Sequence, residues 1–159
     1  MHVNFEKYSI EQTYINIDDA KDYFSKLLNL SNKQVEIIDT ARIRKLTTQN
    51  VTKYFLCGKT KGLEARQEYE KQIDEKLASS ILQKRTLGKV FKNRYVVFYE
   101  GYKFEFDNYT DRNLTVCEVE VNPSNDNLKQ IEQILTSHFK LKIKNITNDQ
   151  NFKNANLAK

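Results

Sequence analysis

Apolar and polar positions alternate in short runs along much of this chain, and the charges come in pairs two residues apart. Arg42 and Arg44 flank Ile43, and Glu68 and Glu70 flank Tyr69. Lys92 and Arg94 flank Asn93, Glu105 and Asp107 flank Phe106, and Glu118 and Glu120 flank Val119. Side chains at i and i+2 point to the same face of a strand. Each pair therefore sends two charges one way and usually one apolar residue the other. Five such strands predict a sheet with one charged and one apolar face. If that sheet closes, the charges line the inside of a barrel.

The same reading places strands at residues 9–15, 35–46, 53–59, 66–73, 89–99, 102–109 and 114–121. A helix follows Asp18 or Asp19, either of which can cap it, with Tyr23, Phe24, Leu27 and Leu28 at helical spacing. A second helix spans 74–87, with Asp74 as its cap, Leu77, Ile81 and Leu82 on one face, and Gly88 as its end. Pro123 and Ser124 break the chain before a third, whose buried stripe is Leu128, Ile131, Leu135 and Phe139. Residues 58–62 hold the strongest turn signal, and Glu100-Gly101 makes a tight hairpin. The stretch 140–159 opens with strand-like alternation and ends polar. No linker, repeat or low-complexity segment appears, so residues 1–159 read as one domain. The expectation is an α+β protein, a closed or nearly closed antiparallel barrel of eight strands or an incomplete one, with helices covering its apolar outside.

Charge narrows the partner. Lys and Arg outnumber Asp and Glu by 26 to 21, which favours an anionic ligand. No basic block, zinc-ligand spacing or helix-turn-helix pattern points that ligand toward nucleic acid. Cys57 and Cys117 lie in apolar runs and read as buried free thiols. His2 and His138 are isolated and read as surface residues. No apolar stretch resembles a signal peptide or is long enough to span a membrane, so the expected compartment is the cytoplasm. There is no glycine-rich phosphate loop and no nucleophile elbow.

What remains is the segregation of charge between strands. Arg42, Arg44, Lys59, Lys92 and Arg94 form a basic group, and Glu68, Glu70, Asp107, Glu118 and Glu120 an acidic one. An exposed strand face can carry any one such pair, so the argument rests on the set. Arginine suits bidentate phosphate contact and lysine acts as a point charge. Paired carboxylates suit Mg2+ or Mn2+, which can polarise a phosphoryl oxygen or bind an attacking water.

In this order the motifs resemble the CYTH family, the triphosphate tunnel metalloenzymes, over nearly the whole chain. Gln12-Thr13-Tyr14-Ile15 resembles the family's Gln-x-Tyr-Leu element, and Arg42-Ile43-Arg44 its Arg-x-Arg strand. Tyr54 to Lys59 is similar to the strand that ends in lysine, and Arg66-Gln67-Glu68-Tyr69-Glu70 to Arg-x-Glu-x-Glu. Lys92-Asn93-Arg94, then Glu105-Phe106-Asp107, then Glu118-Val119-Glu120 match the later strands. The tail from Asp149 through Lys153 to Ala158 resembles the closing segment.

The resemblance implies an eight-stranded antiparallel tunnel. It implies a triphosphate grip of Arg42, Arg44, Lys59, Lys92, Arg94 and Lys153. It implies Glu118 and Glu120 as the catalytic carboxylates, holding Mg2+ or Mn2+ together with Glu68, Glu70 and Asp107. The implied function is binding of an inorganic, nucleoside or thiamine triphosphate, with metal-dependent hydrolysis. A binder that has lost the metal site is the alternative, and an adenylate cyclase a third reading. An RNA 5′-triphosphate end is the one nucleic-acid ligand this leaves.

Two features depart from the family. Its first strand carries Glu-x-Glu-x-Lys, and placing Lys7 at that lysine puts Val3 and Phe5 at the glutamates and turns Glu6 to the wrong face. Alternatively that strand is missing. Residues 18–32 form a helix-like insertion.

Overall fold

The computed structural model describes residues 5–61, 67–121, 125–146 and 157–158. Seven strands form one antiparallel sheet: β1 (Phe5–Ile15), β2 (Ile38–Thr48), β3 (Val51–Thr60), β4 (Glu68–Ile73), β5 (Thr86–Tyr99), β6 (Tyr102–Tyr109) and β7 (Leu114–Val119). Their order is β4-β3-β2-β1-β5-β6-β7, so β1 is central and β4 and β7 are the two edges. Four α-helices accompany them: α1 (Ile17–Leu28), α2 (Asn32–Glu36), α3 (Glu75–Leu82) and α4 (Asn125–Gln133), the last running into a π-helical turn at Ile134–His138.

The helices cover one face only. Ile15, Ala41, Ile43 and Leu56 of the sheet pack with Ala20 and Phe24 of α1 and Ala78 and Ile81 of α3. At the other end Val97 and Phe104 pack with Ile131, Ile134 and Leu135, joined by Phe106, Val119 and Phe139. This is the apolar face that the alternation predicts. Ile43, Tyr69 and Val119, the residues between paired charges, all belong to it.

Among the described residues the sheet has seven strands and curls without closing, the incomplete form of the expected barrel. The reason lies in β1. It runs unbroken from Phe5 to Ile15, so Lys7 and the Gln12-Thr13-Tyr14 element belong to one strand instead of two. Glu6 and Tyr8 share a face with Gln12 and Tyr14, while Phe5 and Lys7 lie on the other. The register that equates Lys7 with the family lysine, and turns Glu6 to the wrong face, therefore fails. Val3 lies outside the described residues.

Local chemistry explains several shifted boundaries. Asn16, not Asp18 or Asp19, caps α1, its side chain accepting from the Asp18 amide at 2.9 Å. The two aspartates occupy the first turn, where the helix dipole favours them. Residues 32–36 are helical instead of extended because Ser31 and Gln34 form a reciprocal capping box. Asp74 caps α3 as expected, but the helix stops at Leu82 and Gly88 sits inside β5, opposite Tyr14.

Gly58 is likewise a strand residue and not a turn. A Cβ there would stand 2.8 Å from the Phe24 ring, so glycine lets α1 approach the sheet. Glu100 and Gly101 do make the tight hairpin, with φ of 49° and 80°. The described residues from 140 to 146 form no strand. Pro123, Ser124, Arg66, His2 and the tail motif up to residue 156 fall outside the described residues.

Candidate functional site

The face without helices carries the charges. Strand register aligns Arg42 with Tyr14 and Cys57, Arg44 with Gln12 and Phe55, and Lys59 with Glu68. On the same face Lys92 aligns with Ile10 and Tyr109, Arg94 with Tyr8 and Asp107, and Glu105 with Glu118. Glu70 stands opposite Cys57, and Glu120 follows the end of β7. The structure thus brings Arg42, Arg44, Lys59, Lys92, Arg94, Glu68, Glu70, Asp107 and Glu118 to one surface. Lys153 lies outside the described residues.

This surface is the inside of a curl. Lys92 and Asp107 are 1% and 0% exposed and Arg42 7%, although no helix covers them. At one end Leu157 and Ala158 pack with Tyr14, Val90, Tyr109, Leu114 and Val116. Arg112 Nη2 fixes that contact by donating to the Leu157 carbonyl at 2.8 Å.

The cations are compensated very unequally. Arg94 donates from Nε to Asp107 Oδ1 at 2.6 Å and from Nη2 to Oδ2 at 2.7 Å, a bidentate pair. Its Nη1 reaches Glu105, and Nη2 lies 3.7 Å from Glu118. Lys92 donates to Asp107 as well. Lys103 adds a 2.5 Å pair to Glu105. Burial pushes the Asp107 carboxyl up, but the Arg94 hydrogen bonds and the Lys92 charge outweigh it and hold the group below the ordinary carboxylate range. This network is closed: each charge has its counter-charge in place.

Across the sheet, Arg44 pairs with Glu70 and Lys59 with Glu68, both nearer the solvent. Burial raises the Glu68 carboxyl, yet Lys59, with Arg42 and Arg44 behind it, brings it below its usual value. Arg42 is different. Its one hydrogen bond among the described residues runs from Nη1 to the Tyr14 hydroxyl at 3.4 Å, and no carboxylate there lies within ion-pair distance. The Arg42 and Arg44 Nε–H groups and Gln12 Oε1 are buried with no hydrogen-bond partner among the described residues. Tyr14 and Cys57 beside Arg42 are both neutral at pH 7, since burial pushes Tyr14 up and Cys57 to about 11. Arg42 thus buries a guanidinium whose Nε–H is unmet among the described residues, beside two neutral groups and with Glu68 offsetting its charge from beyond ion-pair distance.

Gln12, Tyr14 and Cys57 complete this surface and were not singled out as site residues. Their parity with the arginines was the available signal, but only the register of three strands reveals it. The carboxylates as placed do not fit Mg2+ or Mn2+. Asp107 and Glu105 are held by cations, Glu68 and Glu70 are paired, and no three His, Cys, Asp or Glu side chains among the described residues converge on a metal position.

No family model matches the chain, and no curated protein sequence matches it. Solved structures do. The PH1819 protein from Pyrococcus horikoshii OT3 aligns with a TM-score of 0.54 at 18% identity, over 87% of this chain and 77% of that one. The inorganic triphosphatase NE1496 aligns at 0.52 and 22% identity, over 99% and 86%. A conserved hypothetical protein from Pyrococcus furiosus aligns at 0.50 and 18%, over 88% and 77%. The chain shares the α+β fold of these proteins, with its curled antiparallel sheet.

Proposed function

We propose that the curled sheet binds a triphosphate, inorganic or carried by a nucleoside or thiamine, with Arg42 and Arg44 as the principal grip and Lys59 beside them. The observation that carries this reading is the pair of buried, unpartnered Nε–H donors on Arg42 and Arg44. A phosphate oxygen meets them with charge-assisted hydrogen bonds. Lys92 and Arg94 contribute to the field of the cavity, but their donors are committed to Asp107 and Glu105. They are secondary to the grip.

Binding under this proposal needs no divalent ion, because the arginine charge is already in place and the carboxylates are occupied. Hydrolysis is the second reading, and its support is that a neighbour of the same fold, NE1496, is an inorganic triphosphatase. Glu118 and Glu120, exposed at the rim, are the carboxylates left for it. No membrane role is proposed, and no helix among the described residues is long and apolar enough to cross a bilayer.

Titration calorimetry with tripolyphosphate, ATP, GTP and thiamine triphosphate in a chelator tests the proposal. Saturable binding by the parent and its loss in Arg42→Met is the expected result. Binding that appears only on adding Mg2+ or Mn2+ overturns it. Phosphate-release and cyclic-nucleotide assays with either ion separate hydrolysis and cyclisation from binding alone.

A further inference from the structure

β7 is an edge strand whose outer side meets no other strand among the described residues. It carries an acidic rim, Glu118 with Glu120 just beyond. The chain leaves the π-helical turn, passes through Lys140 at φ 58° and continues as Leu141-Lys142-Ile143-Lys144, which belongs to no helix or strand. Leu141 and Ile143 are 40% and 41% exposed. An exposed run of alternating lysine and β-forming apolar residues beside a bare strand edge is a strand lacking its partner.

We propose that residues 141–144 dock on the free edge of β7 as an eighth strand, with Lys142 opposite Glu118. Three observations support it. The first is position. Phe139 and Leu135 pack on the β7 residues Cys117 and Val119, and the Leu141 amide donates to the Leu135 carbonyl at 3.0 Å. The segment therefore starts beside the far end of β7. Leu157 packs against Leu114 at its near end. An antiparallel course for 141–144 along β7 leads from the first of these places toward the second.

The second is register. With Lys142 opposite Glu118, Leu141 meets Val119, Ile143 meets Cys117 and Lys144 meets Val116. Both apolar residues then fall on the helix-covered face, where Val119 and Cys117 already lie, and both lysines on the charged face. A slip of one residue destroys both matches.

The third is charge. Glu118 is 57% exposed at its side chain, and its contact to Arg94 is long. A polyanion in the cavity is repelled by it. Docking sets a lysine against it, giving the counter-charge that a divalent ion would otherwise supply. This last step rests on the proposed triphosphate binding, which favours the docked form. The pairing itself does not.

Hydrogen exchange of the unmodified protein reads the docking directly. Amides of 141–144 should exchange at least tenfold more slowly when tripolyphosphate saturates the protein, and Lys142→Glu should abolish the protection. As a second measurement, Ile143→Cys should form a disulfide with the native Cys117 under mild oxidation, since facing residues of antiparallel strands sit within disulfide range. Lys144→Cys, on the other face, should not. Unchanged exchange in a protein that calorimetry shows to bind tripolyphosphate, or equal cross-linking of both variants, overturns the inference. If calorimetry shows no binding, the triphosphate reading fails by itself. The parity of cross-linking then decides the docking alone.

Discussion

The two halves of the curled sheet use the same residue types to opposite ends. On β5 and β6, Lys92 and Asp107 at full burial and Arg94 and Glu105 at partial burial neutralise one another. On β2, Arg42 is buried against tyrosine and cysteine, and Glu68 acts on it only from beyond ion-pair distance. The difference is one of cross-strand partners. Register sets Asp107 opposite Arg94, whereas it sets Cys57 opposite Arg42 and Phe55 opposite Arg44. A buried ion pair costs desolvation and regains it through its partner, while a buried single charge has nothing to regain it from. The first half is therefore self-compensated, and the second is the half to which the proposed anion binding is assigned.

The largest effects should separate the halves by stability. Asp107→Asn leaves Lys92 and Arg94 buried without their shared counter-charge, at an expected cost of about 3–5 kcal/mol. Arg42→Met removes a charge that no ion pair among the described residues compensates and should leave stability unchanged or raised. Urea denaturation of both variants decides it. A larger loss in Arg42→Met than in Asp107→Asn would mean that the assignment of roles is reversed.

Affinity should separate them the other way. Arg42→Met should weaken tripolyphosphate binding by about 1.5–3 kcal/mol, the range of hydrogen bonds to charged groups, with circular dichroism unchanged. Arg94→Met is expected to lose less, since its donors are already engaged. Calorimetry in which Arg94→Met loses the more binding would move the grip to β5.

Acid should reach the closed half at a defined point. Asp107 is held below its unfolded value near 3.9, so its contribution to stability is fully present above about pH 4 and is lost as pH falls through the lower folded value. Denaturation midpoints measured from pH 7 to pH 3 should fall in the parent below about pH 4 and fall less in Asp107→Asn. Parallel profiles would show that Asp107 is not the group lost.

Much of this contrast could be read in the sequence, and its decisive part could not. Parity along single strands placed the charges of Arg42, Arg44, Glu68, Glu70 and Glu118 on one face and Ile43, Tyr69 and Val119 on the other. That pattern has period two and needs no partner strand. Which carboxylate meets which cation depends on how three strands slide past one another, so the isolation of Arg42 and the closure around Asp107 were invisible. The eighth strand implied by the resemblance stayed open for a related reason. Nothing between Lys7 and Ile10 marks whether one strand or two pass there. Gly58 read both as the end of a strand and as the start of a turn signal, because only the approach of Phe24 from another element explains a glycine inside β3. The CYTH resemblance carried the fold, and the structural neighbours share it, while the metal it implies finds no converging donor set among the described residues.

The smallest effect sharpens the contrast most directly. Lys59 in the open half is held by Glu68, whose side chain is 55% exposed, so the pair is weak and competes with any phosphate for the same ammonium. Glu68→Gln frees Lys59 and removes a negative charge from the cavity. It should tighten tripolyphosphate binding by about 0.5–1 kcal/mol, roughly two- to fivefold, the scale of an exposed ion pair. The gain should shrink at high salt, which screens such charges. Glu105→Gln removes one negative charge too and frees Lys103, but Arg94 keeps its bidentate hold on Asp107, so no cation of the proposed grip is released. Calorimetry on the two variants at equal ionic strength therefore compares a carboxylate that competes with the ligand against one that does not. Equal tightening in both would reduce the effect to net charge and remove Lys59 from the grip.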